Sequence, residues 1–309
     1  MKHIPVMQGE ILKYFETCSN GLIIDGTLGL GGHSEALLSS YPTINILGLD
    51  LDEGALRFSE NRLSKYGDRV KVLKDNFSNI SSIMNSSDKA NLASGLLLDL
   101  GVSSYQLDTP EKGFSFRFDS PLDMRFDTSQ EIKASDVVNQ YSETELANLI
   151  YKYGDEYRSR KIAKGIMAKR PIFTTMELAD LIKNLIGSKH LKIHPATKTF
   201  QALRIEVNKE LSNLYSALSD SLKVIKDKGR IIVISYHSLE DRIVKNFFKN
   251  ESKECLCPSE VLICECDHSQ ALEIITKRVH KPSISEVSVN PRSRSAKMRV
   301  AELLPRVGY

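Results

Sequence analysis

The groups in this chain with the means to do chemistry lie in four short segments, each built around an aspartate. Asp25-Gly-Thr-Leu-Gly-Leu-Gly-Gly-His33 is a glycine-rich turn, Asp50 closes an apolar run, Asp75-Asn-Phe77 follows a third run, and Asp99 ends SGLLLD. Glycines let backbone approach a ligand closely, and a helix starting just beyond them offers unpaired N–H groups. A carboxylate roughly 20 residues further on is placed to hold both hydroxyls of a ribose, which suits Asp50. Asp75 and Phe77 bring a polar group and an aromatic face suited to adenine. A glycine turn alone fits nicotinamide, flavin or adenosylmethionine. Here the turn is looser than the G-x-G-x-x-G of nicotinamide enzymes, and Asp25 precedes it directly. That acid favours a cofactor with an amino-acid moiety, whose ammonium and carboxylate need opposite partners. A single aspartate at a strand end is commonly a helix cap or turn former. Four in register with the glycine turn are the informative pattern. His33, beside Gly31 and Gly32, stands where a helix-starting histidine is often structural and where cofactor contact is also open.

These segments must be positioned by an alternating fold. Apolar runs Gly21–Asp25, Ile44–Asp50, Arg69–Lys74 and Ser94–Asp99 read as strands, with helices near His33, over Glu53–Lys65 and around Phe77–Met84. The alternation predicts an α/β fold with a doubly wound, mostly parallel sheet, whose strand ends line one crevice. From Gln106 onward the strand rhythm stops. A loop, GFSFRFDSPLDMRFD, is followed by helical patterns over Glu143–Tyr153, Glu156–Lys169, Thr175–Ile186 and Thr197–Leu218. A strand returns at Gly229–Ser235, then a helix at Leu239–Asn250, and late strands at Glu273–Arg278 and Ala296–Leu303. The expected division is a core of residues 1–105 and 214–309 interrupted by a mostly helical insertion, 106–213, for substrate.

The 309 residues suffice for a sizeable core, and 41% hydrophobic with 26% charged residues is an ordinary globular composition. A net charge of +3 does not announce a nucleic-acid binder. The stretch Asn290–Arg306 does, locally: Arg292, Arg294, Lys297, Arg299 and Arg306 face a single acid, Glu302. A solvated strand and tail is the competing reading. Lys2, His3, Gln8, Glu10 and Lys13 interrupt any signal-like N-terminus, and no run reaches the ~20 apolar residues of a membrane span, so the cytoplasm is the expected location. Cysteines there are reduced thiols or metal ligands. Cys255-x-Cys257 and Cys264-x-Cys266 can supply four thiolates to zinc, although C-x-C is tighter than the usual spacing, and a metal is left open. Cys18 reads as a small buried residue.

The chain resembles a known family, the MraW (RsmH) 16S ribosomal RNA cytosine-N4 methyltransferases. The matching segments are HIPVMQGEIL from His3, DGTLGLGGHS from Asp25, LLLDLGVSSYQLD from Leu96 and GFSFRFDSPLDMRFD from Gly113. HPATKTFQALRIEVNKEL from His194, SYHSLEDRIVK from Ser235 and NPRSRSAKMR from Asn290 complete the series. The resemblance implies a class I, Rossmann-like methyltransferase core with a helical insertion domain. It implies S-adenosyl-L-methionine as cofactor, contacted by Gly31, Gly32, His33, Asp50, Phe77, Asp99 and Gln106. It further implies methyl transfer to N4 of a decoding-centre cytidine of 16S rRNA within the small ribosomal subunit. Tyr236 stands where the family commonly has Phe, and Tyr105 where Pro often follows the two serines.

Cytosine N4 is a poor nucleophile because its lone pair is delocalised into the ring. An enzyme helps by accepting hydrogen bonds from the amine and aligning the nitrogen with the methyl group. Asp99 is the expected catalytic acceptor, with nearby backbone carbonyls as the alternative and Ser103, Ser104 or Tyr105 positioning the base; Asp99 serving only the cofactor stays open. His237, Glu240 and Asp241 are candidates for shaping the base pocket, against a plain helix start with Ser238 as N-cap. His194, Lys198 and Arg204 can track RNA backbone or simply face solvent. Rival functions are a class I methyltransferase acting on DNA or protein, and a non-catalytic ribosome-assembly factor. The sequence leaves open whether the chain is a monomer or a homodimer.

Overall fold

A computed structural model describes residues 5–86, 92–187, 193–258, 260, 261 and 263–305. In chain order the first elements are α1 (Gln8–Phe15), β1 (Gly21–Asp25), α2 (Gly32–Ser40) and β2 (Ile44–Asp50). Next come α3 (Glu53–Leu63), β3 (Val70–Lys74), α4 (Ile80–Ser86) and β4 (Ala93–Asp99). Six helices follow: α5 (Ser104–Asp108), α6 (Ala134–Gln140), α7 (Glu143–Gly154), α8 (Ser159–Lys169), α9 (Thr175–Ile186) and α10 (Thr197–Asn208). The chain ends with α11 (Glu210–Val224), β5 (Ile225–Ser235), α12 (Ser238–Glu251), β6 (Leu272–Ile274), α13 (Ile284–Val289) and β7 (Lys297–Leu303). No described helix is long and apolar enough to cross a membrane.

The chain divides into two compact units, Met1–Gly101 with Leu211–Tyr309, and Val102–Glu210. The first carries a seven-stranded sheet in the order β3-β2-β1-β4-β5-β7-β6. Strands β1 to β5 pair in parallel, while β7 runs antiparallel to both β5 and β6. The order reverses between β1 and β4, so a crevice opens at their carboxyl ends, where open α/β sheets bind ligands. The first six residues of β4 are all buried, which explains its unbroken small and apolar run: a central parallel strand has helices on both faces. One face packs Leu96 and Leu98 with Leu214, Leu218 and Phe248, the other packs Leu97 with Phe15, Ile232 and Ile234.

The second unit folds around its own core, in which Leu146, Ile150, Ile162, Ile166, Leu178 and Leu203 are fully buried. Capping boxes start α7 at Ser142 and α9 at Thr174, each answered by a glutamate three residues on. The buried Asn208 amide stitches in the loop before α6. Its Oδ1 accepts from Phe126 N at 2.8 Å, and its Nδ2 donates to Met124 O at 2.8 Å.

Several expected elements change shape. The single helix expected over Thr197–Leu218 is two, because Lys209 adopts φ 51° and turns the chain between α10 and α11. Phe77–Asn79 is a 3-10 turn ahead of α4 rather than its first turn. The strand expected at Glu273–Arg278 shrinks to β6, three residues long. The helix expected from Glu156 starts at Ser159. Helices α1, α5, α6 and α13 carry too few periodic residues to stand out in the sequence. Replacing Asn208 by Ala leaves the Phe126 N–H and Met124 carbonyl unpaired inside the protein and should cost about 2 kcal/mol of stability. Urea denaturation reads this directly, and an unchanged midpoint would show that the loop is held by other contacts.

Candidate active site

The site is assembled where β1, β2, β4 and β5 end. After β1 the chain makes a tight turn: Gly26 N bonds Leu97 O and Leu28 N bonds Leu49 O, tying the turn to β4 and β2. Gly29 and Gly31 have φ of 51° and 75°, left-handed backbone that favours glycine. A Cβ on Gly29 would meet only Thr27 O, at 3.9 Å, so this edge of the turn faces open space. Gly31 caps α2, and Gly32 and His33 are its first residues, so the helix N-terminus stands beside the turn.

Asp50, at the end of β2, accepts from Gly29 N at 2.7 Å through Oδ2 and from Asp52 N at 2.9 Å through Oδ1. Burial pushes its carboxyl pKa up to about 6, against the opposing pull of these two N–H groups. Phe77 lies against the same turn: its Cβ is 2.9 Å from where a side chain on Gly26 would begin. Asp75 is occupied locally, accepting from Asn76 N at 2.7 Å and Asn79 Nδ2 at 2.8 Å.

Asp99 ends β4 and is held from three sides. Its N–H donates to Thr27 Oγ1 at 2.7 Å, the Tyr236 hydroxyl donates to Oδ1 at 2.9 Å, and Oδ2 is 3.3 Å from His33 Nε2. Its side chain stays 18% exposed, the His33 side chain 7%. The His33 Nδ1 atom is buried with no partner among the described residues, so the site retains a polar group for a ligand to satisfy. Tyr236 was not among the expected site residues; its only sequence signal was Tyr in place of the commoner Phe, and a phenyl ring cannot make this bond. Its burial, followed by the adjacent Asp99 charge, raises the phenol pKa well above the usual value, so it stays a donor.

Other expected roles are redistributed. Asp25 turns inward: it is 1% exposed, accepting from Ser34 Oγ at 2.6 Å and Thr27 N at 3.3 Å, so it braces the turn. The N-cap of α12 is His237, not Ser238, with Glu240 Oε2 accepting from Tyr236 N at 2.8 Å and His237 N at 3.2 Å. Asp241 faces β7 and pairs with Arg299 at 2.7 Å and Lys297 at 3.3 Å. Burial works against its charge, but these cations outweigh it and hold the carboxyl below the usual range. Arg299 and Lys297 are therefore engaged within the fold, whereas Arg292 and Arg294 are exposed and Arg306 lies outside the described residues. In the helical unit, Gln106 is buried and forms the capping box of α5 with Ser103. Arg204 is clamped by Glu210 at 2.7 and 2.9 Å, and His194 caps its own turn and packs on Phe116.

A glycine turn, a carboxylate at the end of β2 and a carboxylate at the end of β4, on this strand order, define a class I Rossmann-like methyltransferase that uses S-adenosylmethionine. The model of the MraW methylase family matches residues 1–304, and the chain belongs to that family. The ribosomal RNA small subunit methyltransferase H of Dehalococcoides mccartyi strain BAV1 is 52% identical over 301 residues, 97% of this chain and 86% of that protein. The protein of the same name from strain 195 is 50% identical over 99% of this chain and 88% of its own length. That from Carboxydothermus hydrogenoformans is 44% identical over 98% of both.

If Asp50 holds the cofactor ribose, S-adenosylmethionine affinity should fall as the pH drops through about 6, where its carboxylate takes up a proton. The folded pKa lies above the ordinary carboxylate range, so protonation of this group favours the folded chain and the lost affinity is not a lost fold. Asp50→Ala should bind the cofactor at least ~10-fold more weakly and abolish that pH step, since a charge-assisted contact is removed. Titration calorimetry between pH 5 and 8 checks both, and unchanged affinity in Asp50→Ala would remove Asp50 from the site.

Proposed function

We propose that this chain methylates N4 of a decoding-centre cytidine in the 16S rRNA of the small ribosomal subunit, in the cytoplasm. The observation that carries the substrate class is the near full-length match, at 52% identity, to a protein named for small-subunit ribosomal RNA methylation. The chemistry rests on Asp99. S-adenosylmethionine, when bound, supplies an electrophilic methyl group; Gly31, Gly32, His33, Asp50 and Phe77 hold it, with Gln106 as the family's further contact. Asp99 keeps an exposed edge while Tyr236 and His33 fix its plane. From that position the carboxylate accepts a hydrogen bond from the exocyclic amine, which localises the nitrogen lone pair and turns it toward the methyl carbon. The Tyr236 hydroxyl and the His33 Nε2 atom both meet Asp99, so its carboxylate does not rotate away.

The helical unit is read as the RNA grip. Tyr157 is 84% exposed, with Lys198 Nζ 5.9 Å from its ring centre and Tyr151 edge-on at 6.2 Å. Arg160, Lys161 and Lys164 stand exposed on the adjacent α8. Exposed aromatic faces among cations suit unstacked bases and the phosphates beside them, the mode by which single-stranded RNA is usually bound. A cytosine must leave its stack before its amine can react, and only folded rRNA presents one cytidine in that way.

Methyl transfer should therefore be faster on small subunits than on deproteinised 16S RNA, and should weaken as salt rises. Asp99→Asn should lower turnover more than cofactor affinity, and Tyr157→Ala should raise the KM for subunits while sparing cofactor binding. Steady-state kinetics with tritiated methyl donor checks these. Equal, salt-independent rates on the two RNAs contradict the substrate reading; lost cofactor binding with normal maximal rate in Asp99→Asn assigns Asp99 to the cofactor alone.

A further inference from the structure

Between α12 and β6 the chain runs through a strap, residues 252–271, in which the described residues form neither helix nor strand. Its neck is closed by Ala271 N bonding Glu251 O at 2.9 Å. Among its described residues the large apolar side chains are exposed: Leu256, Val261 and Ile263 at 41%, 39% and 78%. What converges at its centre is Cys255, Cys257, Cys264 and Cys266, whose sulfurs all lie within 4.8 Å of one another. A segment this long without secondary structure or a core needs some other tie.

We propose that these four cysteines bind one structural zinc ion. Cys255 Sγ is 3.4 Å from Cys264 Sγ and 3.7 Å from Cys266 Sγ, and the latter two are 3.5 Å apart. Sulfurs at ~2.3 Å from a tetrahedral zinc are separated by about 3.8 Å, close to this spacing. The three separations are nearly equal, so no sulfur is singled out as a disulfide partner, and a disulfide would require about 2.05 Å. Backbone donors already face the sulfurs in a reciprocal pattern. Leu256 N, inside the first C-x-C, donates to Cys266 Sγ at 3.4 Å, and Glu265 N, inside the second, donates to Cys257 Sγ at 3.4 Å. Cys257 N donates to Cys255 Sγ at 3.3 Å. N–H groups aimed at sulfur stabilise thiolate charge, the role outer hydrogen bonds play around metal ligands. Four sulfur donors within 4.8 Å of one another select zinc or iron over harder cations, and zinc needs no redox partner. Two C-x-C hairpins are thereby pinned together, giving the strap the tie that its side chains do not supply.

The full-length protein, purified under reducing conditions without chelator or a metal-binding tag, should contain about one zinc per chain by elemental analysis. Titration with a mercurial should release that zinc in step with reaction of the strap thiols, and cobalt substitution should give the visible bands of tetrahedral thiolate coordination. Cys255→Ser combined with Cys264→Ser should lose the metal with circular dichroism unchanged, because the strap lies outside the core, while Cys18→Ala should keep it. The proposal is overturned if reduced protein takes up no zinc on dialysis against it, if the double variant retains the metal, if iron occupies the site instead, or if mass spectrometry finds the four cysteines as two disulfides.

Discussion

The end of the central strand is the constraint on which the rest of the site depends. Asp99 is fixed by Thr27 from the turn after β1, by His33 from the start of α2 and by Tyr236 from the end of β5. Three segments from three parts of the chain thus share one carboxylate. The glycine turn is anchored to that point independently, through Gly26 N to Leu97 O, so the turn and Asp99 cannot drift apart without breaking strand-end hydrogen bonds. In a buried setting such bonds are costly to leave unmade, and the geometry is correspondingly stiff.

Tyr236 reaches Asp99 because the turn after β5 is itself held. Glu240, 2% exposed, accepts from the N–H groups of Tyr236 and His237 and stands 3.2 Å from the His237 ring. The next residue of α12, Asp241, ties the helix to β7 through Arg299 and Lys297. The acids and the histidine of the SYHSLED segment therefore serve the scaffold, and the tyrosine is the member that meets the reacting end of β4.

The fold was legible wherever burial leaves a periodic mark. Strands β1, β2 and β4 announce themselves because a parallel sheet covered on both faces demands continuous apolar runs, and their terminal aspartates mark the crevice. The placement of Asp50 and Asp99 at the ends of β2 and β4 was readable for that reason. What the sequence hides is partnership across distance. Nothing near Tyr236 indicates a bond to a residue 137 positions away. Nothing in Asn208-Lys209-Glu210 signals a helix break, since the left-handed residue there is lysine and not glycine. Asp25 looks like the other strand-end acids, yet Ser34 draws it inward. The paired cysteines were visible, but spacing alone could not say that the two pairs meet; the sulfur separations do.

The account stands or falls on where the methyl group goes. The direct measurement is transfer of isotopically labelled methyl from S-adenosylmethionine to small ribosomal subunits, followed by nuclease digestion and mass spectrometry of the labelled nucleoside and its fragment. The account predicts N4-methylated cytidine in a single decoding-centre fragment of 16S rRNA. Label on another nucleoside, on ribosomal protein, or on DNA in preference to subunits would contradict it.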